Sequence, residues 1–402
     1  MKRLLGLVAI AALIGCQEVP HQAKYVFLFI GDGMGLAQVA AAEAYLANNN
    51  DEIGSNALNF SQFPVLGTAT TYSASNWITC SSASGTALAT GTKTTNGMLG
   101  VTPDTVALKA ITYKIQEAGY KVGVSSTVTL DHATPAAFYA HAASRNDYYT
   151  IATQLPATGF DFFGGGGFIL PEGWRKDQVP VTDLIEQAGY TIAYGMADFR
   201  QKSTSGKVVL LQEETRDFMG ALPYAIDRKD GDMTHADIVQ AAIEFLENEK
   251  GFFLMSESGR IDWACHSNDG KTSILETLDL HQAVQVAIEF AQKHPEETLI
   301  VVTADHETGG MALGWESQYN MFFDQLNEQK ASKDIMLESG DDKAGEKVAE
   351  INRRARIGWT TSAHTGIPVP VYAMGTNSEL FAGRMDNTDI PKKICEAMGV
   401  AF

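Results

Sequence analysis

Tyr25-Val26-Phe27-Leu28-Phe29-Ile30 is an uninterrupted apolar run, and Gly31-Asp32-Gly33 follows it directly. A run of this kind predicts a strand that is covered on both faces, because a strand with one solvated face would alternate apolar and polar residues. The glycines predict a turn at the end of this strand. Asp32 is therefore expected at the carboxyl end of a central strand.

The rest of the chain alternates helix and strand patterns. Further helices are predicted at residues 36–47, 107–118, 236–250, 280–291 and 390–398, and further strands at 121–128, 252–255, 298–303 and 369–374. Such alternation predicts a three-layer α/β/α fold with a large, mostly parallel central sheet. Ligands of such folds bind beyond the carboxyl ends of the strands. Residues 315–358 include a charged stretch and are predicted to form a surface insertion.

Composition limits the class of protein. The chain has 402 residues, of which 45% are apolar and 19% charged, so a globular protein with a large core is expected. The formal net charge of −18 argues against nucleic acid or an anionic membrane surface as a partner. An anionic substrate would need a site made locally positive by metal ions or arginine.

The first residues predict a targeting segment. A basic start, Lys2 and Arg3, precedes an apolar stretch at residues 4–14 that is too short to span a bilayer. Leu13-Ile14-Gly15-Cys16 resembles a bacterial lipobox, so cleavage before Cys16 and a lipid on its thiol are expected. An ordinary signal peptide cleaved nearby is the alternative. Either way the protein leaves the cytoplasm, and the lipobox predicts a periplasmic or cell-envelope lipoprotein of a bacterium.

The chain therefore divides into three parts. Residues 1–15 are predicted to be a lipoprotein-type signal peptide, 16–24 a tether, and 25–402 a single domain. The other cysteines are Cys80, Cys265 and Cys395, and an odd count does not make a disulfide framework. They are expected to be thiols of the core or thiols near the site.

A stretch of small residues is the first candidate for chemistry. Ile78-Thr79-Cys80-Ser81-Ser82-Ala83-Ser84-Gly85-Thr86-Ala87-Leu88-Ala89-Thr90-Gly91 begins with polar residues and continues with helix formers, as a helix N-terminus does. Unpaired N–H groups and the helix dipole suit that end to an anion. A serine at its tip would act as a nucleophile only if another group removes its proton, and otherwise the stretch is an ordinary helix cap.

Carboxylates and histidines occur with the spacing of metal ligands. Asp262 and His266 are four residues apart and would share one face of a helical turn, although such pairs are also common on surfaces. Asp305 and His306 follow a predicted buried strand, and His364 precedes another. Mixed carboxylate and histidine sets of this kind are typical of zinc sites.

An all-oxygen group is predicted beside them. Asp32 and Glu257, each at the end of a predicted strand, would form a site suited to Mg²⁺ together with the hydroxyl of Thr134. Arg145 is predicted on the next helical stretch and would clamp an oxyanion with its planar fork of N–H donors.

These stretches together resemble the alkaline phosphatase family, over nearly all of the chain after the targeting segment. The matching stretches are Ile30-Gly31-Asp32-Gly33-Met34-Gly35, residues 81–91, His132-Ala133-Thr134-Pro135-Ala136, residues 257–266, Thr303-Ala304-Asp305-His306-Glu307 and Ser362-Ala363-His364-Thr365. Six matches in the same order are highly specific. The resemblance implies one catalytic domain over residues 25–402 that hydrolyses small phosphate monoesters to inorganic phosphate, and it suggests a homodimer with partner contacts at 315–358.

The resemblance also implies a role for each matching residue. Ser81 would be phosphorylated in the intermediate, and Arg145 would bind two phosphate oxygens. One Zn²⁺ would be held by Asp262, His266 and His364, the second Zn²⁺ by Asp305, His306 and Asp32, and Mg²⁺ by Asp32, Thr134 and Glu257.

Three positions depart from one common form of the family pattern. Cys80 stands where many members have Asp beside the nucleophile, His132 where some have Asp near the Mg²⁺, and Trp263 where some have Lys. His132 is expected to support the third metal site without binding the ion, and that site is left open between Mg²⁺ and Zn²⁺. Cys80 is expected to fix Arg145 less firmly than Asp would, because a thiol is a weak hydrogen-bond partner.

Two other functions fit part of the pattern. One is a phosphodiesterase or sulfatase on the same scaffold, although many such relatives use Thr or a modified Cys as nucleophile. The other is a lipid-anchored metal-binding protein without turnover. The combination of Ser81 and Arg145 with Thr134 and Glu257 in a third metal site favours the monoesterase.

Overall fold

A large sheet is the centre of the structure. The computed structural model describes residues 22–203, 206–214, 219–317 and 319–402, so the predicted signal peptide, Cys16 and most of the predicted tether lie outside the described residues. Within these ranges the strands are β1 (Tyr25–Gly31), β2 (Val65–Thr70), β3 (Lys121–Ser126), β4 (Phe162–Gly165), β5 (Tyr190–Tyr194), β6 (Lys207–Leu211), β7 (Phe252–Ser258), β8 (Thr298–Thr303), β9 (Glu307–Thr308), β10 (Met311–Leu313), β11 (Ile357–Trp359), β12 (His364–Thr365), β13 (Val369–Gly375) and β14 (Gly383–Asp386).

Helices connect most of these strands. The α-helices of the same ranges are α1 (Leu36–Asn49), α2 (Ser81–Thr90), α3 (Ile111–Glu117), α4 (Ala133–Ala137), α5 (Tyr148–Ala152), α6 (Leu155–Thr158), α7 (Val181–Gln187), α8 (Gly195–Lys202), α9 (His235–Leu246), α10 (Arg260–His266), α11 (Gly270–Lys293), α12 (Lys333–Glu338), α13 (Ala344–Ala355) and α14 (Asp389–Met398). Short 3₁₀ segments lie at Phe60–Gln62, Trp315–Ser317, Phe323–Glu328 and Ser378–Phe381. Among the described helices none is long and apolar enough to cross a membrane.

The central sheet has ten strands in the order β14-β2-β13-β8-β1-β7-β3-β4-β6-β5. β13 pairs antiparallel with β2 and β8, whereas the other pairs of this sheet are parallel. Every residue of β1 is buried between β7 and β8, as its apolar run predicts. One helix group contains α1, α9 and α11, and a second contains α2, α3, α4 and α14. The predicted α/β fold with a mostly parallel sheet is confirmed.

Some predicted helix bounds were wrong. The helix predicted at 107–118 begins only at Ile111, because Ala107 forms a bridge with Val101 and Leu108 N–H donates to Gly100 O at 2.8 Å. The backbone groups of these two residues are therefore paired outside the helix. The helix predicted at 236–250 ends at Leu246, and the one predicted at 280–291 already begins at Gly270.

The described cysteines are thiols, and the late segment has secondary structure of its own. Cys80, Cys265 and Cys395 are free thiols, and the latter two are buried. Residues 315–358 contain two 3₁₀ segments, α12, α13 and β11, and β11 returns to pair with β10. At the other end of the described chain, Ala23 N–H donates to Ala397 O at 2.8 Å, so the end of the predicted tether is packed on the domain.

A buried polar cluster attaches a long connecting segment to α11. Arg228 donates to both carboxylate oxygens of Asp279. Glu276, one turn earlier on the same helix, accepts the backbone N–H of Ala225 at 2.6 Å. Two carboxylates thus share one arginine in the protein interior, where an additional negative charge is costly.

The Glu276 carboxyl leads to a prediction about stability. Burial, and then the charge of Asp279, raise the pKa of Glu276 from 4.5 to about 7. Between these values the folded protein binds more protons than the unfolded chain, so the free energy of unfolding falls as the pH rises through about 7. Glu276→Gln removes this titration and keeps an acceptor for Ala225. We expect the free energy of unfolding of Glu276→Gln minus that of wild type to be higher at pH 9 than at pH 5, by about 1–3 kcal/mol.

Guanidinium chloride unfolding of both proteins at the two pH values measures this difference. Glu244→Gln, at an exposed position of α9, makes the same change of charge and serves as the matched control. A stability difference between Glu276→Gln and wild type that is the same at pH 5 and pH 9 would contradict the prediction.

Candidate active site

Three neighbouring strands carry carboxylates at the same edge of the sheet. Asp32 directly follows β1, Glu257 is the sixth residue of β7, and Asp305 lies two residues after β8. The parallel register aligns Ile30 of β1 with Glu257. All three carboxylate side chains are fully buried. The sheet therefore concentrates negative charge at the carboxyl ends of its central strands.

The first ligand group consists of Asp32, Asp305 and His306. Their ligand atoms lie within 4.8 Å of one another, and His306 Nε2 is 3.4 Å from Asp32 Oδ1 and 3.2 Å from Asp305 Oδ2. Asp305 Oδ1 accepts the backbone N–H groups of His306, at 2.9 Å, and Gly33, at 3.3 Å. One oxygen of Asp305 is thus used to fix the loop, and the other remains for a ligand.

The second group consists of Asp262, His266 and His364. Asp262 and His266 are one turn apart on α10, as their spacing predicts, and Oδ2 lies 3.3 Å from Nε2. His364 Nε2 lies 3.0 Å from His266 Nε2 and 3.7 Å from Asp262 Oδ1. His306 also reaches this group, since its ring stacks on that of His364 with 3.5 Å between centroids. The two groups therefore meet at His306.

Partners that the sequence did not reveal orient the three histidines. His266 Nδ1 lies 2.7 Å from Ser362 O, and His364 Nδ1 lies 2.9 Å from Thr79 O. A carbonyl can only accept, so each Nδ1 carries a proton, and Nε2 is the ring atom that faces the group.

The third histidine is oriented by a hydroxyl. Thr308 Oγ1 lies 3.2 Å from His306 Nδ1 and donates to Asp262. Thr308 follows a stretch that matches the family pattern, so its hydroxyl was a visible candidate that sequence analysis missed. The two backbone carbonyls of the other histidines carry no side-chain signal in the sequence.

The third group consists of Asp32, Glu257 and His132, whose ligand atoms also lie within 4.8 Å of one another. Thr134, which is predicted to complete this site with its hydroxyl, is buried on α4. Glu257 Oε2 accepts the hydroxyl of Ser126, which leaves Oε1 without a partner.

The residues of all three groups fit divalent cations. Several of their buried oxygens have no hydrogen-bond partner in the described part of the chain, namely Asp32 Oδ1 and Oδ2, Asp305 Oδ2, Glu257 Oε1 and Thr134 Oγ1. Burial, and then the neighbouring charge of Asp305, raise the pKa of Asp32 well above its usual value. Buried, unpartnered carboxylates at such short separations stay ionised only when positive charge is near, and metal ions would supply that charge.

Ser81 lies beside these groups. It is the first residue of α2, with Cys80 as the N-cap, and its Oγ is 3.3 Å from His306 Nε2. The hydroxyl of Ser84, one turn further along α2, donates to Asp305 O at 2.7 Å and ties the helix to the first group. The predicted nucleophile is therefore at a helix N-terminus and in contact with a predicted metal ligand.

Arg145 also faces the site, but not from a helix. The prediction of a helical position was wrong, because Arg145 lies in a turn before α5 and its N–H donates to Gly97 O at 2.7 Å. Its Nη2 donates to His132 Nε2 at 3.1 Å. Burial, and then the charge of Arg145, lower the pKa of His132 to about 3, so His132 is neutral and accepts this bond. His132 thus contacts both the third group and Arg145.

Cys80 and Trp263 lie near Arg145 and His132. Cys80 Sγ accepts the N–H of Gly97 at 3.1 Å, and Gly97 is the residue that holds the backbone of Arg145. Burial opposes ionisation of the Cys80 thiol, but hydrogen bonds from Ser82 and from nearby backbone N–H groups lower its pKa overall. The indole of Trp263 packs edge-on against the ring of His132 at 5.6 Å between centroids.

Comparison with known proteins identifies the family to which the chain is similar. A family model described as alkaline phosphatase matches residues 23–164 and 170–400. Alkaline phosphatase 3 of Bacillus subtilis (strain 168) is 33% identical, over 93% of this chain and 89% of its own.

Solved structures show the same likeness. The cold-active alkaline phosphatase from the psychrophile Shewanella sp. is 31% identical with a TM-score of 0.81, and the match covers 93% of this chain and 99% of that one. A histidine-to-glutamate mutant of TAB5 alkaline phosphatase with Mg bound in its M3 site is also 31% identical, with a TM-score of 0.76 and coverage of 95% and 100%. The chain belongs to the alkaline phosphatase family and is a phosphatase.

Proposed function

We propose that this enzyme hydrolyses small phosphate monoesters by transferring the phosphoryl group to Ser81 and then to water. The observation that carries the proposal is the position of Ser81 Oγ, 3.3 Å from His306 Nε2 at the N-terminus of α2. A hydroxyl there is beside the junction of two carboxylate–histidine groups, which is where a nucleophile for an anionic phosphate is needed.

The ligand groups support two Zn²⁺ and one Mg²⁺. Zn²⁺ binds mixed sets of carboxylate and imidazole, which suits Asp262, His266 and His364 as one site and Asp305, His306 and Asp32 as the other. Asp32, Glu257 and Thr134 offer oxygen ligands for Mg²⁺. His132 Nε2 accepts from Arg145, so the proton of this neutral ring is on Nδ1, and His132 would support the third site without binding its ion. When bound, the ions would lower the pKa of the Ser81 hydroxyl and neutralise charge on the phosphate.

The reaction follows as two displacements at phosphorus. Ser81 Oγ forms a bond to phosphorus while the ester P–O bond breaks, and the departing oxygen takes up a proton and leaves as an alcohol. Water then attacks the phosphoserine, the Ser81 Oγ–P bond breaks, and inorganic phosphate leaves. Arg145 and the N–H groups at the start of α2 stabilise the phosphoryl oxygens throughout, because both present fixed donors to developing negative charge.

Export and assembly remain proposals that rest on the sequence. The lipobox-like stretch before Cys16 supports a lipid-anchored enzyme of the bacterial cell envelope or periplasm. Family membership supports a homodimer. Zinc ions, magnesium and arginine would provide the local positive charge that an anionic substrate requires in a chain of net charge −18.

The role of Ser81 is tested by Ser81→Ala. We expect phosphomonoesterase activity to fall by a factor on the order of 10³ or more, because the first displacement has no acceptor, while the fold and the metal content persist. Hydrolysis of p-nitrophenyl phosphate, compared with bis(p-nitrophenyl) phosphate, is measured at alkaline pH with Zn²⁺ and Mg²⁺. Acid quenching with radiolabelled substrate should trap phosphate on wild type and on the neighbouring control Ser82→Ala, but not on Ser81→Ala. Equal turnover of wild type and Ser81→Ala would contradict the assignment.

The ligand assignment is tested by Asp305→Ala and His364→Ala. Each variant removes a predicted zinc ligand, so we expect bound zinc to fall by about one ion per chain together with the rate. Elemental analysis of the purified proteins gives the zinc content. His294→Ala removes a histidine that pairs with Glu247, away from the ligand groups, and should keep full zinc. Full occupancy in Asp305→Ala or in His364→Ala would remove that residue from the ligand set.

The role of Cys80 is tested by Cys80→Asp. The charge of Arg145 contributes to the lowered pKa of the Cys80 thiol, so a carboxylate at this position would attract the guanidinium. Better ordering of Arg145 should tighten inorganic phosphate by a factor on the order of 10. The phosphate inhibition constant is compared among wild type, Cys80→Asp and the uncharged control Cys80→Ser. An unchanged or weaker constant in Cys80→Asp would show that Arg145 is held by other contacts, such as that to His132.

A further inference from the structure

A cavity of about 430 Å³ adjoins the second ligand group, and the proposed function does not use it. Its volume is within the range typical of sites for small organic ligands. Its walls come from α10, α13 and the two ends of the segment 315–358, and they include His266, Ser362, Trp315, Trp359, Lys333 and Arg353. His266 is thus a wall of the cavity and a predicted metal ligand.

A row of three histidines connects Ser81 to the cavity. Ser81 Oγ lies beside His306, and an in-line displacement sends the ester oxygen away on the opposite side of phosphorus. The ring of His306 stacks on that of His364, and His364 Nε2 lies 3.0 Å from His266 Nε2. The His266 side chain is 40% exposed and ends this row at the cavity. The organic part of a bound substrate would therefore extend into the cavity.

Two indoles give the cavity aromatic walls. Trp315 is 44% exposed, and its ring lies against Gly358, where an added Cβ would come within 2.3 Å of Trp315 Cε3. The backbone N–H of Trp315 donates to Arg356 O at 3.0 Å. Arg356 directly precedes β11, and Trp359 is the last residue of β11. An exposed indole that is held next to the paired strands β10 and β11 can stack with a planar ring at little entropic cost.

The polar groups of the cavity walls differ in their access to a ligand. Trp359 Nε1 and Asn352 Oδ1 are buried and have no hydrogen-bond partner within the described ranges. Both residues line the cavity, and Asn352 is almost completely buried. Solvent does not reach either atom, so they do not offer hydrogen bonds to a ligand in the cavity. Of the described residues that line the cavity none is acidic, although the chain is strongly acidic overall.

We propose that this cavity is the leaving-group subsite and that it selects phosphate monoesters whose alcohol bears a heteroaromatic ring, with nucleoside 5′-monophosphates as the fitting class. This inference rests on the proposed function of the adjoining site. The indoles stack on the base, and Lys333 adds a positive charge to the cavity wall, whereas Arg353 is already paired with Glu350.

The test compares adenosine 5′-monophosphate with glycerol 2-phosphate, which offers the same phosphate without a ring. In the metal-loaded enzyme, Trp315→Ala should lower kcat/KM for the nucleotide five- to tenfold and leave the value for glycerol 2-phosphate within about twofold. Adenosine should inhibit wild type competitively, with an inhibition constant that rises by the same factor in Trp315→Ala. Trp315→Phe keeps an aromatic face and should restore most of the preference. Trp174→Ala, at a tryptophan that is 80% exposed and does not line the cavity, is the control.

A second variant guards against misfolding of the first. Gly358→Ala adds a methyl group where the Trp315 ring lies, so it should reduce the nucleotide preference in the same direction without removing the indole. Equal losses on both substrates, or no loss on the nucleotide, would overturn the subsite. An enzyme that hydrolyses neither ester would instead refute the proposed function. In that case, adenosine binding measured by quenching of tryptophan fluorescence in wild type and Trp315→Ala would still decide whether the subsite exists.

Discussion

Mutual repulsion of buried carboxylates is the constraint on which the site depends. Asp32, Glu257, Asp262 and Asp305 are almost completely buried, and they share one edge of the sheet. Burial and like charges raise the pKa of Asp305 to about 8, while the surrounding histidines favour the ionised form of Asp262. Without cations the carboxyl groups of Asp32 and Asp305 would take up protons, whereas bound cations would keep them ionised. The same cations would then draw a phosphate into an otherwise acidic molecule.

The topology explains how distant parts of the chain reach this edge. The parallel strands β1, β7 and β8 deliver three carboxylates directly, because the carboxyl ends of parallel strands meet. His364 arrives differently. β12 pairs antiparallel with β9, and this register places His364 opposite Thr308, next to the ligands that follow β8. Residues 315–358 lie in the chain between these two short strands. The late segment is therefore next to the site, where it would help to select substrates.

Local chemistry made much of this predictable from the sequence. The apolar run at β1 indicated the central strand, the i, i+4 spacing of Asp262 and His266 indicated a shared helical face, and small residues indicated the start of α2. Position along an irregular segment was less predictable. Arg145 was placed on a helix, yet it lies in a turn that is fixed by the backbone of Gly97, about 48 positions earlier in the chain. No periodic pattern records such a long-range backbone contact.

The partners of two histidines have a consequence for how this sequence can vary. The atoms that orient His266 and His364 are main-chain oxygens of residues 362 and 79, and every amino acid supplies that oxygen. A change of side chain at either position leaves the acceptor in place, whereas a change in the path of the backbone moves it. The orientation of these two imidazoles therefore depends on the path of the backbone. Substitutions at Ser362 or Thr79 can occur without changing which ring nitrogen of His266 or His364 faces the group.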